Sequence, residues 1–183
     1  MYISQSPIGI LYAIFVWLNA HEYTRQQQRR YSFVTVTSPE FWDRIAPSYA
    51  KQPIADSKSY ARKLAATQAL MQPHMEVLEF GCGTGSTALE HAAHVAHIVA
   101  TDVSAAMIGI ARDKAQDAGV DNVVFRQSGV EDFEAPGGSY DMVLALNLLH
   151  LLPDRAAALA KIHQLLKPGG IFVSSTVCLA DKM

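Results

Sequence analysis

Val77-Leu78-Glu79-Phe80-Gly81-Cys82-Gly83-Thr84-Gly85 decides how this chain is read. An apolar run that ends in an acidic residue enters a Gly-x-Gly-x-Gly turn, and a helix opens at Ser86. Glycines take Cβ atoms out of a tight turn, so a ligand can lie directly on the main chain with a helix N-terminus behind it. Further on, His97-Ile98-Val99-Ala100-Thr101 is a second apolar run, and it ends in Asp102. A carboxylate at the end of the second strand is placed to accept hydrogen bonds from the two hydroxyls of a ribose. A nucleoside ligand is therefore implied.

Spacing narrows the choice. Dinucleotide sites use G-x-G-x-x-G, with the pyrophosphate on the helix N-terminus. Here the glycines stand at 81, 83 and 85, and position 86 is Ser. Glu79, two residues before the first glycine, would repel phosphates but suits a ligand with an ammonium group. These features disfavour a nicotinamide dinucleotide and point to S-adenosylmethionine, which carries a ribose, an adenine and an amino-acid tail.

Four runs then fall in order: VLEFGCGTG, ATDVSAAMIGIAR, SYDMVLALNLLHLL and LLKPGGIFVSS. Together they resemble the class I S-adenosylmethionine-dependent methyltransferases of small-molecule type, across residues 41–177. The upstream FWDRIAPSYA resembles the N-terminal helix that many members place over the cofactor. The resemblance implies an α/β fold with a doubly wound, mostly parallel, Rossmann-like sheet. It also implies an enzyme that transfers a methyl group to a small-molecule acceptor and leaves S-adenosylhomocysteine; the alternative is a non-catalytic binding protein on this fold, or a fragment of one. Cofactor contacts are expected at Glu79, Gly81, Cys82, Gly83, Gly85, Asp102, Val103, Met107, Gly129, Val130, Glu131 and Asn147. His150 and Tyr49 are the candidate catalytic residues.

At 183 residues the length suits one domain, and 50% apolar residues allow a sizeable core. A net charge of −2 gives no general drive toward nucleic acid. The one basic cluster, Arg25, Arg29 and Arg30, reads as a solvated face or lead-in. Cys82 and Cys178 lack metal-ligand spacing and suggest no disulfide framework, which fits a reducing cytoplasm. Cys82 reads as a small residue chosen for space. No metal is expected: His91 and His94 stand at i, i+3, but His97 begins a strand and no carboxylate or Cys completes the set.

Residues 1–37 are expected as an N-terminal extension, and 38–183 as the cofactor-binding domain. Residues 1–20 carry no charge, but Ser4, Gln5, Ser6, Pro7 and Asn19 leave the segment short of the ~20 apolar residues of a spanning helix. A short anchor, a helix docked on the domain, and a lead-in from a misplaced start remain as readings; membrane attachment is not favoured. Ser38 followed by Pro39 reads as a helix start, and a second helix is expected at 57–71. Strands are expected at 76–80, 97–102, 122–127, 140–146 and 170–177, with helices at 86–94, 105–118 and 154–167. Ser104 caps the second of these helices and Gly119 closes it; Asp154 starts the third, and Pro168-Gly169-Gly170 ends it.

The family sheet has seven strands, the last two antiparallel, whereas this chain stops at Met183 after the fifth expected strand. The last two strands are thus expected to be missing and the chain to be a fragment. The bare edge of the strand from Ile171 would then be covered by the N-terminal extension or by a partner subunit, giving a dimer.

Several residues carry competing readings. Glu79 either meets the ligand ammonium or caps the glycine turn. Met107 either lies against adenine or is plain core. Relatives place an Asp in the adenine-edge loop, but Ser128-Gly129-Val130 stands here, so backbone groups or Glu131 would serve. Asn147 either faces the reacting centre or closes a strand end. His150 is either a base or a packed histidine. Tyr49 and Trp42 either close over the cofactor or pack the N-terminal helix on the domain.

Overall fold

The computed structural model describes residues 12–17, 38–54 and 56–176. The Arg25, Arg29 and Arg30 cluster, Cys178 and the rest of residues 1–37 lie outside these residues. Among the described residues six strands form one parallel sheet: β1 (Tyr12–Trp17), β2 (Glu76–Phe80), β3 (His97–Asp102), β4 (Val123–Gln127), β5 (Tyr140–Leu146) and β6 (Leu166–Thr176). Their spatial order is β1-β6-β5-β2-β3-β4. The helices are α1 (Pro39–Tyr49), α2 (Ser57–Gln68), α3 (Ser86–His91), α4 (Ala105–Ala118) and α5 (Arg155–Leu165).

The local signals act as their chemistry requires. Ser38 accepts the Phe41 amide and Pro39 opens α1. Ser104 accepts the Met107 amide at 3.0 Å, and Gly119 ends α4 at φ 65°. Asp154 accepts the Ala157 amide at 2.9 Å and caps α5. Alternate residues of the central strands feed two cores, as expected of a sheet covered on both faces. Val77, Ile98, Met142 and Leu144 pack with Ile108 and Ala111 of α4. Leu78, Phe80, Val143 and Phe172 pack with Ile162 and Leu165 of α5.

Three features differ from expectation. The helix expected at 86–94 is α3 followed by one 3-10 turn at Ala92–His94. Pro168-Gly169-Gly170 does not separate α5 from a later strand: β6 starts at Leu166 and takes the three residues in as an irregularity. The β5–β6 register shifts between Tyr140 and Met142 at that point, and Gly169 sits at φ 79°. Residues 12–17, for which an anchor, a helix or a lead-in was expected, form a strand. That strand pairs with β6 from Tyr12↔Ile171 to Trp17↔Thr176. β1 thus occupies the β6 edge that a dimer contact would have used. Among the described residues no helix is long and apolar enough to cross a membrane.

Gly85 shows how tightly the glycine turn is tied to the core. A Cβ there would lie 2.7 Å from the Ala111 Cβ and 2.8 Å from the Phe125 ring, on a backbone at φ 76°. Gly119 also has a positive φ, but a Cβ there meets nothing within 4 Å. We expect Gly85→Ala to destabilise the fold by about 2–4 kcal/mol and Gly119→Ala by about 1 kcal/mol, read from urea unfolding.

Candidate functional site

The strand order reverses between β2 and β5, and ligands of parallel α/β sheets bind outside the strand C-termini at such a switch point. The glycine turn stands there. The Cys82 amide donates to the Thr101 carbonyl at 2.9 Å, and the Gly85 amide to the Cys82 carbonyl at 3.0 Å. Lys114 of α4 donates to the hydroxyls of Thr84 and Ser86, both at 3.0 Å, and pins the turn from the other side. Gly81, Gly83 and Gly85 all have positive φ. Around Gly83 a Cβ would meet nothing within 4 Å, so the bare main chain borders open space. Cys82 is buried, and burial pushes its thiol pKa up, which keeps it protonated and unreactive at neutral pH.

Asp102 ends β3 half-buried and joins two elements. Its Oδ2 accepts the Gly83 amide at 2.9 Å and its Oδ1 accepts the Ser104 amide at 3.0 Å. Burial raises its pKa, and those two amide bonds oppose the rise. A carboxylate offers about four lone-pair sites, so two remain for hydroxyl donors.

Glu79 lies beneath the turn, 2% exposed, and its Oε2 has no hydrogen-bond partner. Burial pushes its carboxyl up from its ordinary 4.5 to about 7; Lys63 pulls it back, and Asp102 adds to the rise. Lys63 of α2 is 5% exposed, and its ammonium stands 5.1 Å over the Tyr60 ring. It makes no ion pair: among the described residues those are His97–Glu76 and Lys167–Asp141. Burial lowers the Lys63 pKa. The Tyr60 hydroxyl lies 3.3 Å from that of Thr87, which ties α2 to α3 beside the turn. Sequence reasoning did not single out Lys63. The available signal was its place between Tyr60 and Leu64 on the buried face of the helix.

The remaining expected residues are placed as follows. Val103 is half-buried, and its carbonyl accepts from Gln127 at 3.0 Å. The Ser128 amide donates to the Asp102 carbonyl, which draws the loop with Gly129 toward the end of β3. Val130 is buried with Phe133, and Glu131 is exposed. Met107 is 1% exposed, so it presents almost no open surface. Asn147 ends β5 in the left-handed region at φ 57°, a conformation Asn tolerates better than most residues. Its amide donates to the Ser175 carbonyl, and its Oδ1 accepts the Ser175 hydroxyl at 3.1 Å. His150 is half-buried with Nδ1 3.2 Å from the Thr176 hydroxyl, and burial lowers its pKa. Tyr49 is 43% exposed, its ring edge-on to Trp42. His91 is fully buried with both nitrogens unpartnered, while His97 is exposed beside Glu76. Among the described residues no three metal-donor side chains cluster.

Sheet order, glycine turn and strand-end carboxylate define a nucleoside-binding α/β domain of the doubly wound class. A methyltransferase-domain family matches residues 77–170. The chain belongs to that family, the class I S-adenosylmethionine-dependent methyltransferases. It is 34% identical over 103 residues to a ubiquinone biosynthesis O-methyltransferase of Acinetobacter baumannii, a match covering 56% of this chain and 44% of that protein. The chain thus spans under half the length of that relative. Among solved structures, the DhpI–SAH complex matches 76% of this chain and 68% of that one, at 27% identity and TM-score 0.64. The 4+2 cyclase SpnF matches 74% of this chain and 57% of that one, at 26% identity and TM-score 0.67.

Glu79 gives a pH signature with a definite sign. Between pH 4.5 and about 7 the folded protein keeps a proton that the unfolded chain releases. Its contribution is therefore complete below 4.5 and is lost as pH rises through about 7, on the order of 3 kcal/mol in all. His91, held down to about 4 by burial, acts the other way: its contribution is lost as pH falls from 6.5 through about 4. His91 is common to wild type and variant, so comparing them isolates Glu79. We expect Glu79→Gln to exceed the wild type by on the order of 1–3 kcal/mol at pH 8 and to match it near pH 4, in urea titrations.

Proposed function

We propose that this chain binds S-adenosylmethionine at the C-terminal ends of β2 and β3 and transfers its methyl group to a small-molecule acceptor. One observation carries the reading. Two buried ionisable groups of opposite sign, Glu79 and Lys63, lie in each other's field with no ion pair between them, beside a glycine turn that borders open space. Unpaired buried charges are costly, and an amino-acid tail would relieve both. Glu79 takes the ammonium and Lys63 balances the carboxylate. The main chain of Gly81, Cys82, Gly83 and Gly85 lies along the tail. Asp102 accepts the two ribose hydroxyls on its free lone pairs. Val103, Gly129, Val130 and Glu131 border the adenine, and Met107 packs behind them.

The bound cofactor supplies a methyl group on a positively charged sulfur, already activated for transfer. The protein's part is to position the acceptor and exclude water, which for well-oriented reactants is worth ~7–11 kcal/mol. Asn147, held at the end of β5, faces the reacting centre. His150, with its pKa lowered, is neutral at pH 7 and is the candidate to receive an acceptor proton. Tyr49 is the candidate from the α1 side. The cofactor unit is taken to begin at residue 38, with β1 added at its sheet edge. We place the protein in the cytoplasm, in keeping with the free buried thiol of Cys82, and assign it no nucleic-acid partner.

A second reading, a cofactor-binding protein that runs other chemistry on this fold, is favoured by the likeness to a cyclase. Methyl release from S-adenosylmethionine across a panel of small phenols, amines and carboxylates separates the two. No methyl release with any acceptor in the panel, alongside tight binding of S-adenosylhomocysteine, favours the second.

Calorimetry tests the site. We expect Asp102→Ala to weaken S-adenosylhomocysteine binding about ten-fold, in line with the ~1.5–3 kcal/mol of hydrogen bonds to a charged group. Lys63→Met should weaken S-adenosylhomocysteine to a similar degree yet leave 5′-methylthioadenosine, which lacks the amino-acid tail, within two-fold. Equal losses for both ligands would remove Lys63 from the tail site.

A further inference from the structure

Asp43 of α1 reaches across to the first turn of α4. Its Oδ1 accepts the Ser104 hydroxyl at 2.6 Å and the Ala106 amide at 3.0 Å. These bonds hold the Asp43 carboxyl below the usual carboxylate range, the Ser104 hydroxyl contributing most. Ser104 is fully buried and is bonded on two further sides. Its hydroxyl accepts the Met107 amide, and its own amide donates to Asp102 Oδ1 at 3.0 Å. Ser104 is thus a joint: one side holds α1 through Asp43, and the other holds the carboxylate at the end of β3. Phe41 and Ala46 of α1 are buried, so the helix is seated by packing and located by this polar contact.

We propose that Asp43 is a positioning residue that couples the seating of α1 to sugar recognition, because through Ser104 it fixes the amide that orients Asp102. The inference rests on the cofactor reading above, with Asp102 as the ribose acceptor. When α1 lifts, the Ser104 hydroxyl loses its acceptor and the first turn of α4 loosens. The Ser104 amide is then free to leave Asp102 Oδ1. Linkage makes the effect reciprocal: a ligand that needs Asp102 in place also favours α1 in place. The like charges of Asp43 and Asp102 on either side of Ser104 oppose each other. The coupling therefore runs through hydrogen-bond geometry and not through charge.

This distinction sets the experiment. Asn at position 43 keeps a carbonyl oxygen for both donors and loses the charge, whereas Ala loses both bonds. The full chain is titrated with S-adenosylhomocysteine as wild type, Asp43→Ala and Asp43→Asn, and amide hydrogen exchange over residues 39–49 is followed with and without ligand. We expect the ligand to slow exchange over 39–49 in the wild type. Asp43→Ala should bind about ten-fold more weakly and lose that slowing. Asp43→Asn should stay within two-fold of the wild type and keep it. If Asp43→Ala binds within two-fold of wild type, or keeps the ligand-induced slowing, the proposal falls. It falls equally if Asp43→Asn is impaired as much as Asp43→Ala. Absence of any wild-type binding heat overturns the cofactor reading itself, and this inference with it.

Discussion

One carboxylate organises the working end of this molecule. Asp102 accepts an amide from the glycine turn and another from the start of α4, so one side chain fastens the β2–α3 connection to the β3–α4 connection. Both connections run across strand C-termini, where main-chain groups have no sheet partner. Backbone donors in such a place need an acceptor, and a neutral one would hold them less firmly than a carboxylate does. The turn in turn determines where Gly83 presents its uncovered face. Asp102, the turn and α4 are therefore one rigid unit, and α1 is added to it through Asp43.

The chemistry beneath the turn is of a different kind. Around Asp102 hydrogen bonds are satisfied, but Glu79 carries an unpartnered oxygen and Lys63 faces an aromatic ring. Burial pushes both groups toward their neutral forms, Glu79 upward and Lys63 downward. A folded chain keeps such a pair only at the expense of its own stability. Asp102, with both oxygens partnered, fastens the two connections, whereas Glu79 and Lys63 lie without an ion pair beneath them.

Much of this was legible in the sequence, for reasons specific to particular residues. Ser38, Ser104, Gly119 and Asp154 act on amides or turns within a few residues, so their roles need only local pattern. The apolar runs of β2, β3 and β5 are legible because strands buried on both faces leave no polar alternation to confuse. Lys63 and Asp43 were missed because the groups they act on lie on other elements: Glu79 of β2 for one, the first turn of α4 for the other. Pro168-Gly169-Gly170 reads locally as a stop, yet the β5 edge draws it into β6, a tertiary effect that outweighs propensity. The strand at residues 12–17 was hidden for a different reason, since an apolar run of that length fits helix and strand alike.

That strand also bears on how the molecule is built in time. Among the described residues β1 comes earliest in the chain, and its one neighbour in the sheet there is β6, the latest of the described strands. Pairings between distant parts of a chain require a large loop to close before any contact rewards the closure. The outermost ladder therefore waits for the whole of the intervening sheet. Until then the apolar β1 segment stays unpaired, and the interval before it docks is one in which the chain is exposed to aggregation.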